Sequence, residues 1–316
     1  MKNTDKKSPL KELFVLEKMR KSVNAKEPKR NIQAIFGALF LVCFIGLYVL
    51  VFAEQFGAKI SSKFFFVFLV VAILVGYFAF RDIKADKEIE DKEEFSLRYK
   101  DFYLKKYVNS LGFEYEKQGN IDRDIIYHLS NLFPRFDICQ GNDFIKGKVD
   151  NVEFEFCDLL LKETTTISNG VGIVIFQGLL FVAKFNKKTK GRIIVTPKTI
   201  TRKDDFEKIK MDNSEFNDTF NVFTTDLQNA MYVLTPALMD RILELKKIMK
   251  CPISLSFLYD RIFIKIDKGY DSFEPDLNKS IVSTNIARHI KIELDAMFNI
   301  VKILKLNNRI WILEKN

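Results

Sequence analysis

Two long apolar stretches stand out in the hydrophobic pattern of this 316-residue chain. The first covers Asn31–Ala53 and the second covers Phe64–Phe80, and neither contains a charged residue. A bilayer hydrocarbon core about 30 Å thick needs roughly 17–25 apolar residues in a helix. A signal peptide explains the first stretch less well. The apolar region of a signal peptide is shorter than this stretch, and a polar segment as long as residues 1–30 does not precede it. The pattern predicts a hairpin of two transmembrane helices.

The distribution of charge predicts how this hairpin is oriented. Residues 1–30 contain ten Lys or Arg against four Asp or Glu, whereas the connecting residues 54–63 contain two Lys and one Glu. Lys and Arg accumulate on the cytoplasmic side of membrane proteins. We therefore expect a basic cytoplasmic tail at 1–30, transmembrane helices at 31–53 and 64–80, a short external loop at 54–63, and both termini in the cytoplasm.

The charge pattern also argues against a nucleic-acid partner. The whole chain carries a net charge of +9, and most of it lies in the tail before residue 31. A nucleic-acid-binding domain is usually strongly basic itself, and the residues after the second stretch are nearly neutral. Basic residues next to a transmembrane segment are attracted to anionic lipids. The expected partners are therefore membrane lipids, through the hairpin, and no nucleic acid.

Residues 81–111 are predicted to form a helical stalk that leads from the membrane to a domain at 112–316. The segment 81–109 is rich in charge and contains neither Gly nor Pro. Phe95, Tyr99, Phe102 and Tyr103 follow the three- and four-residue spacing of a helical stripe. A second, shorter helix is predicted at Ile121–Leu132, where the following Pro134 would stop it.

Strand patterns dominate the next part of the chain. Val149–Leu161 alternates in part between apolar and polar residues, and Val171–Phe185 is a continuous apolar run. Gly178 predicts a bulge or bend that splits this run into two segments. The polar residues Asn186–Gly191 predict a turn, after which Arg192–Thr196 returns as another strand.

The last third of the chain mixes helices and strands. Thr235 followed by Pro236 is typical of a helix start, with Thr235 as the N-cap. The predicted elements are a short capped helix at Asp212–Phe223, a helix from Pro236, a hairpin of Ile253–Leu258 and Ile262–Ile266 about Tyr259–Arg261, and a helix at Ser283–Lys305. No alternation of single strands and helices is present. We therefore expect an α+β domain with a mostly antiparallel sheet and several helices.

The sequence predicts neither a metal site nor a cofactor. The candidate soft ligands are widely separated, and they are Cys43, Cys139, Cys157, Cys251, His128 and His289. A zinc site requires clustered ligands at short spacing. The cysteines are therefore interpreted as free thiols.

Catalytic chemistry has little support in the sequence. Asp124 precedes His128 by four residues on a predicted helix, an arrangement in which a carboxylate can orient an imidazole. The same spacing is also an ordinary pairing on a helix surface. No nucleophile, phosphate-loop or metalloprotease motif accompanies it. We therefore assign no catalytic residue, and an enzyme centred on this pair is the least favoured hypothesis.

A lysine-rich segment is the candidate binding site. Five cations surround the predicted turn, and they are Lys184, Lys187, Lys188, Lys190 and Arg192. On a domain tethered to a membrane, such a cluster could bind anionic lipid headgroups or an acidic partner. The alternative is an ordinary solvated turn, which we favour.

Several sequence blocks resemble the bacterial DUF3137 family, over about residues 95–312. The matching blocks occur in the family's order, and they are Phe176–Lys187, Gly191–Arg192, Pro197, Glu215–Phe216, Phe220–Asp226, Tyr232–Met239, Phe273–Pro275 and Leu306–Trp311. Asn229–Met231 and Lys198 depart from the family pattern. The resemblance implies two helices in the bacterial inner membrane before a cytoplasmic domain, and a LemA-type membrane protein as partner. It implies no activity and no site, because the family has none assigned.

Together these features predict a membrane-anchored cytoplasmic interaction or scaffolding module. Its anchor would raise the concentration of the domain near membrane-bound partners. The first alternative is a domain that senses anionic lipids or headgroups through the lysine-rich segment. The second is an unrecognised enzyme.

Overall fold

The computed structural model describes residues 9–24, 70, 89–164, 172–201, 206–282 and 284–306. Within these ranges no helix combines the length and the apolar character needed to cross a membrane. The two predicted transmembrane stretches, 31–53 and 64–80, lie outside the described residues except for Val70, as does the predicted loop 54–63.

The chain divides into two compact units. The first comprises the residues up to Arg98 together with Pro275–Val282, and the second comprises Tyr99–Glu274 and the residues from 283 onward. The first unit contains helix α1 (Pro9–Asn24), which lies in the predicted basic tail. The sequence pattern does not indicate this helix.

The second unit contains a seven-stranded sheet in which every pairing is antiparallel. Its strands are β1 (Glu114–Glu116), β2 (Ile138–Val149), β3 (Val152–Glu163), β4 (Ile173–Pro197), β5 (Glu207–Ile209), β6 (Phe220–Thr224) and β7 (Ile253–Asp267). They are ordered β1-β2-β3-β4-β6-β5, and β7 pairs with β4. This arrangement confirms the predicted α+β class with a mostly antiparallel sheet and several helices.

Six further helical segments are described. They are α2 (89–110, with a π-helical turn at Asp101–Lys105), α3 (123–129, π-helical at Ile125–Leu129), α4 (Ser214–Thr219), α5 (Leu227–Val233), α6 (Pro236–Met249) and α7 (Thr284–Ile303). Helices α2, α6 and α7 lie where the sequence predicts helices. Thr235 occupies the N-cap position of α6, although its side chain makes no capping hydrogen bond, and α6 ends at Lys250 in the left-handed conformation.

The two predicted hairpins are wrong, and for one reason. The polar residues Asn186–Gly191 and Tyr259–Arg261 predict turns, but β4 and β7 each continue through them. Thr189 pairs with Tyr259, and the register shifts on both sides of this pair. Bulges therefore take up the extra residues of β4. The polar residues of β4 and those of β7 therefore lie opposite each other, at one bend of a continuous pair of strands.

The predicted break at Gly178 is also wrong, because this residue pairs in register with Leu159 on one side and Asp267 on the other. Its φ of +153° and the close approach of β7 explain why glycine occurs there. A Cβ atom at this position would lie 2.3 Å from the carbonyl oxygen of Ile266. The glycine at position 178 therefore allows β7 to approach β4 closely, and β4 continues past it.

Two other predictions need correction. The helix predicted at Asp212–Phe223 covers only Ser214–Thr219, where the Asn213 side chain accepts a hydrogen bond from the Phe216 N–H. The residues after it form β6, all of whose side chains are buried. The strand predicted at Val149–Leu161 begins later, because Asp150 and Asn151 have positive φ and form a two-residue hairpin turn.

Apolar layers cover both faces of the sheet. On one face Phe154, Phe156 and Phe181 stack on one another, and Phe154 and Phe156 also contact Phe298 of α7. On the other face a second cluster joins residues of β3, β4 and β7 to the segment 121–136. Burial of the central strands on both sides explains the unbroken apolar run in β4.

Candidate functional site

The five cations of the lysine-rich segment lie along β4 and its bend. Residues on opposite sides of a strand alternate, and the structure separates the cations accordingly. Lys184, Lys188 and Lys190 are exposed, whereas Lys187 is buried and Arg192 is half-buried. The segment therefore does not form the single basic turn that the sequence predicts.

Lys187 is directed into the protein at the end of α5. Its Nζ donates hydrogen bonds to the carbonyl oxygens of Tyr232, at 2.7 Å, and Val233, at 3.4 Å. These are the last two residues of the helix, where a cation also compensates the helix dipole. The ammonium lies 4.6 Å from the centre of the Tyr232 ring. Burial lowers the pKa of Lys187, and its contacts indicate a structural role.

Arg192 has the same role at the end of α3. Its guanidinium donates hydrogen bonds to the carbonyl oxygens of His128 and Leu129, both at 3.0 Å. These carbonyls belong to the last two residues of the π-helical turn. Two of the five predicted site residues therefore act as helix caps and are not available to a headgroup.

Lys184 lies beside a shallow groove lined by four cations and three carboxylates, of which two pairs are joined as ion pairs. The groove has a volume of about 480 Å³ and includes Glu114, Lys146, Glu153 and Lys184 in its lining. Lys184 pairs with Glu153 at 2.6 Å, and Lys146 pairs with Glu114 at 3.0 Å. Anions gain little from cations that are already paired in this way. Lys188 and Lys190 are the two predicted site cations that remain exposed without a described ion pair.

Exposed aromatic and apolar side chains surround the bend of β4 and β7. Tyr259, opposite Thr189, is 62% exposed and adopts a positive φ. Tyr232 and Met231 of α5 are 54% and 40% exposed. The Thr189 hydroxyl donates to the Tyr259 carbonyl oxygen at 3.1 Å, which fixes the bend. We name Lys188, Lys190, Met231, Tyr232 and Tyr259 the bend surface.

The Asp124–His128 pair is not assembled as a catalytic unit. Both residues are exposed on α3, and no described hydrogen bond joins their side chains. The His128 ring instead packs edge-on against Tyr127, with centroids 4.7 Å apart. His289 lies far along the chain in α7.

The described cysteines are free thiols, and they differ in burial. Cys157 is fully buried, and Cys139 and Cys251 are half-buried free thiols. Burial raises the pKa of Cys251, which disfavours its reactive thiolate. Cys43 lies outside the described residues.

A buried charged cluster, which the sequence pattern does not indicate, lies beneath α2. The Lys100 ammonium donates to Asp143 Oδ2 at 2.7 Å and also pairs with Glu274. The Tyr115 hydroxyl donates to the other oxygen of Asp143 at 2.6 Å. Burial lowers the pKa of Lys100, but Asp143 and Glu274 outweigh this effect and raise it overall. Burial raises the pKa of Asp143 to about 6 despite Lys100 and Tyr115.

Three carboxylates of this cluster have the spacing of a cation site. Oxygen atoms of Asp143, Asp271 and Glu274 lie within 4.8 Å of one another, and hard cations such as Ca²⁺ take oxygen ligands. However, Lys100 already forms ion pairs with two of the three carboxylates, and Asn142 donates to both oxygens of the third, Asp271. The cluster therefore functions as a buried ionic cross-link between α2, β2 and residues 271–274.

Asp158 extends the acidic region into the interior. Its carboxylate accepts a hydrogen bond from the Ser272 N–H at 2.5 Å. Burial and the nearby carboxylates of Asp271 and Asp143 raise the pKa of Asp158 to about 8. This residue is therefore largely protonated at neutral pH.

A second contact missed by the sequence pattern joins α1 to the segment Pro275–Val282. Glu17 and Arg20 form a buried two-point ion pair, at 2.8 and 3.0 Å. Arg20 also donates to the Leu277 carbonyl oxygen at 2.5 Å, and Glu17 accepts from the Ile281 N–H at 3.0 Å and the Ser280 hydroxyl at 3.1 Å. The hydrogen bonds of Arg20 lower the pKa of Glu17 to about 2. We name these five residues the clasp.

Known proteins give one family match and one structural match. Residues 174–306 match the family described as "Protein of unknown function (DUF3137)", which confirms the resemblance over this part of the chain. No curated protein matches the chain. The structural match is the crystal structure of the mycobacterial trehalose monomycolate transport factor A, TtfA, with 8% sequence identity and a TM-score of 0.34. The alignment covers 64% of this chain and 93% of the TtfA chain. A likeness at this TM-score carries no argument about fold or function.

Proposed function

We propose that this chain, which carries the DUF3137 region at residues 174–306, is an interaction or scaffolding module anchored in the bacterial inner membrane. The hairpin of 31–53 and 64–80 is its anchor, and the folded part lies in the cytoplasm. The sequence pattern and the clasp support both locations.

The clasp is the observation that carries this proposal. It joins α1, which precedes the first apolar stretch, to Pro275–Val282, which follows the second. A chain that crosses a bilayer twice returns to its starting side, so these two segments can then meet. A single crossing would place them on opposite sides. Since the tail before residue 31 is strongly basic, that common side is the cytoplasm.

A binding role fits the described side chains better than a catalytic one. The Asp124–His128 pair is open and unassembled, and the charged cluster around Lys100 is closed by its own ion pairs. The bend surface instead exposes Tyr232, Tyr259 and Met231. Tyrosine and methionine are enriched at protein–protein interfaces. The bend surface is therefore the part of the domain best suited to a protein partner.

Cysteine labelling in cells tests the topology. In full chains lacking their natural cysteines, Lys18→Cys and Lys188→Cys should react with a membrane-impermeant maleimide only after the cells are opened. Ser61→Cys, in the predicted external loop, should react in intact cells. Labelling of Lys18→Cys in intact cells would refute the proposed orientation.

Co-purification from native membranes tests the interaction role. The full chain should retain a stoichiometric membrane protein, for which the LemA-type partner implied by the family resemblance is the first candidate. The double variant Tyr232→Glu/Tyr259→Glu should lose it, while Ile248→Glu, at an exposed position of α6, should retain it. Recovery of the chain with lipid alone would contradict a protein partner.

Sensing of anionic lipids is the second candidate function, favoured by the exposure of Lys188 and Lys190. The full chain would be reconstituted into nanodiscs with and without phosphatidylglycerol, and deuterium uptake at residues 186–192 compared. Lipid sensing predicts protection that depends on phosphatidylglycerol and that Lys188→Glu/Lys190→Glu removes. Equal uptake in both lipids would reject it.

A further inference from the structure

Helix α1 has two faces of different character. The face that forms the clasp buries Leu16, Glu17, Arg20 and Val23. The other side of the helix exposes large apolar groups, because Leu10 and Phe14 are each 65% exposed and Val15 is 52% exposed. Exposed large apolar residues grouped on one helix indicate a surface that binds something.

Lysine side chains share the exposed side of α1 with this apolar group. Lys11, Lys18 and Lys21 are exposed on the same side of α1. The acidic residue Glu17 points the other way into the clasp. Large apolar groups and lysines exposed together on one helix can lie in the interfacial region of an anionic membrane, with the apolar groups inserted and the lysines at the headgroups.

The chain length between α1 and the first apolar stretch keeps the helix close to the bilayer. Helix α1 ends at Asn24, and the stretch begins at Asn31. A fully extended chain covers at most about 25 Å over this interval. The intervening residues 25–30 add three cations, Lys26, Lys29 and Arg30, which are attracted to the same anionic surface.

We propose that the exposed face of α1 lies on the anionic cytoplasmic leaflet, with Leu10 and Phe14 among the upper acyl chains and Lys11, Lys18 and Lys21 among the headgroups. This inference rests on the proposed membrane anchor. Because the opposite face of the same helix holds Pro275–Val282, α1 links that segment to the membrane surface. The bilayer is favoured over a protein partner because of the lysine charge and the short tether.

Tryptophan fluorescence in nanodiscs tests this contact in the full chain. The chain has one tryptophan, so Trp311→Phe combined with Phe14→Trp gives a single reporter. Brominated lipids should quench its fluorescence about twofold or more in discs containing phosphatidylglycerol, as for an interfacial side chain. Leu10→Trp, on the same face, is a second reporter in case the first disturbs the helix. Ile248→Trp in α6 is the control and should not be quenched.

The outcomes separate this inference from the anchor itself. A chain that stays with the discs and resists alkaline extraction, but whose reporters at positions 10 and 14 are not quenched, would overturn the leaflet contact and leave the anchor standing. A chain that does not enter the discs would overturn both. Quenching equal in phosphatidylcholine discs, or unchanged by Lys11→Glu/Lys18→Glu/Lys21→Glu, would overturn the anionic preference. Shielding of the reporters only by a co-purified protein would assign the face to that protein.

Discussion

Lys187 and Lys188 are neighbours in the sequence and differ in the side of β4 on which they lie. Lys187 is buried against the end of α5, and Lys188 is exposed. Lys187→Met should reduce the free energy of unfolding by about 1–3 kcal/mol, because the carbonyl groups of Tyr232 and Val233 lose their donor. Lys188→Met, the matched control, should change it by less than about 0.5 kcal/mol. Urea unfolding measures both, and a larger effect for Lys188→Met would contradict the assignment.

The sequence could identify the cations of this segment but not divide them by role. Alternation along a strand separates Lys187 from Lys188 only once a strand is assumed, and the run NKKTKG is typical of a turn. The cluster around Lys100 was harder to predict, because its members lie far apart in the chain. Lys100 pairs with Asp143 and Glu274, and Tyr115 donates to Asp143, so the folded sheet is needed to bring these residues together.

Asp158 should make stability depend on pH in the direction opposite to most carboxylates. Its pKa is raised from 3.8 to about 8 by burial and by Asp271 and Asp143. The folded state therefore binds more protons than the unfolded state between these values, and stability falls as pH rises through them. Asp158→Asn keeps an acceptor for the Ser272 N–H. The free energy of unfolding should therefore fall by about 2–4 kcal/mol less between pH 5 and pH 8 in this variant than in the unchanged protein.

Thermal unfolding at the two pH values provides the measurement for Asp158. Raised pKa values of Asp143 and Asp271 contribute in the same direction, so the variant should flatten the dependence only in part. Asp260→Asn, at an exposed position, should leave the pH dependence of stability unchanged. An unchanged slope in Asp158→Asn would show that Asp158 is ionised in the folded protein.

Among the elements, the ladder between β4 and β7 depends on close approach at Gly178. Gly178→Ala should destabilise the domain by about 2–4 kcal/mol, because the new Cβ would meet the Ile266 carbonyl oxygen at 2.3 Å. Gly112 also has a positive φ but has open space around it. Gly112→Ala should therefore cost only about 1 kcal/mol, through the backbone alone. Chemical denaturation should separate the two, and equal costs would show that the strands move apart freely.

The three long helices α2, α6 and α7 were predicted from sequence because their signals are local, as the Thr235–Pro236 start shows, whereas α1 and the short α5 were not predicted. The continuity of β4 and β7 was not predicted, because it depends on the pairing of each strand with its neighbour. Asn186–Gly191 and Tyr259–Arg261 each look like a turn when considered alone. The pairing of Thr189 with Tyr259 shows that both segments remain within strands and lie opposite each other.

For the whole molecule, the clasp ties together the two sequence regions that flank the apolar stretches. Glu17→Ala should increase hydrogen–deuterium exchange at the Ile281 amide about tenfold or more, since that N–H loses its acceptor. Lys18→Ala, one residue away and exposed, should not change it. The pKa of Glu17 is about 2, so the clasp is stable above about pH 4.5 and weakens as pH falls toward 2. Protection of Ile281 that survives Glu17→Ala would contradict this contact.

The clasp has a consequence for the order in which the protein is made. The Glu17 carboxylate and the Ile281 amide that it accepts from are 264 residues apart. During synthesis α1 is complete long before its binding segment leaves the ribosome, and both apolar stretches are translated in between. A nascent or truncated chain therefore presents the Glu17–Arg20 pair without its contacts to Leu277, Ser280 and Ile281. Closure of the clasp therefore marks a chain that has been synthesised past Ile281.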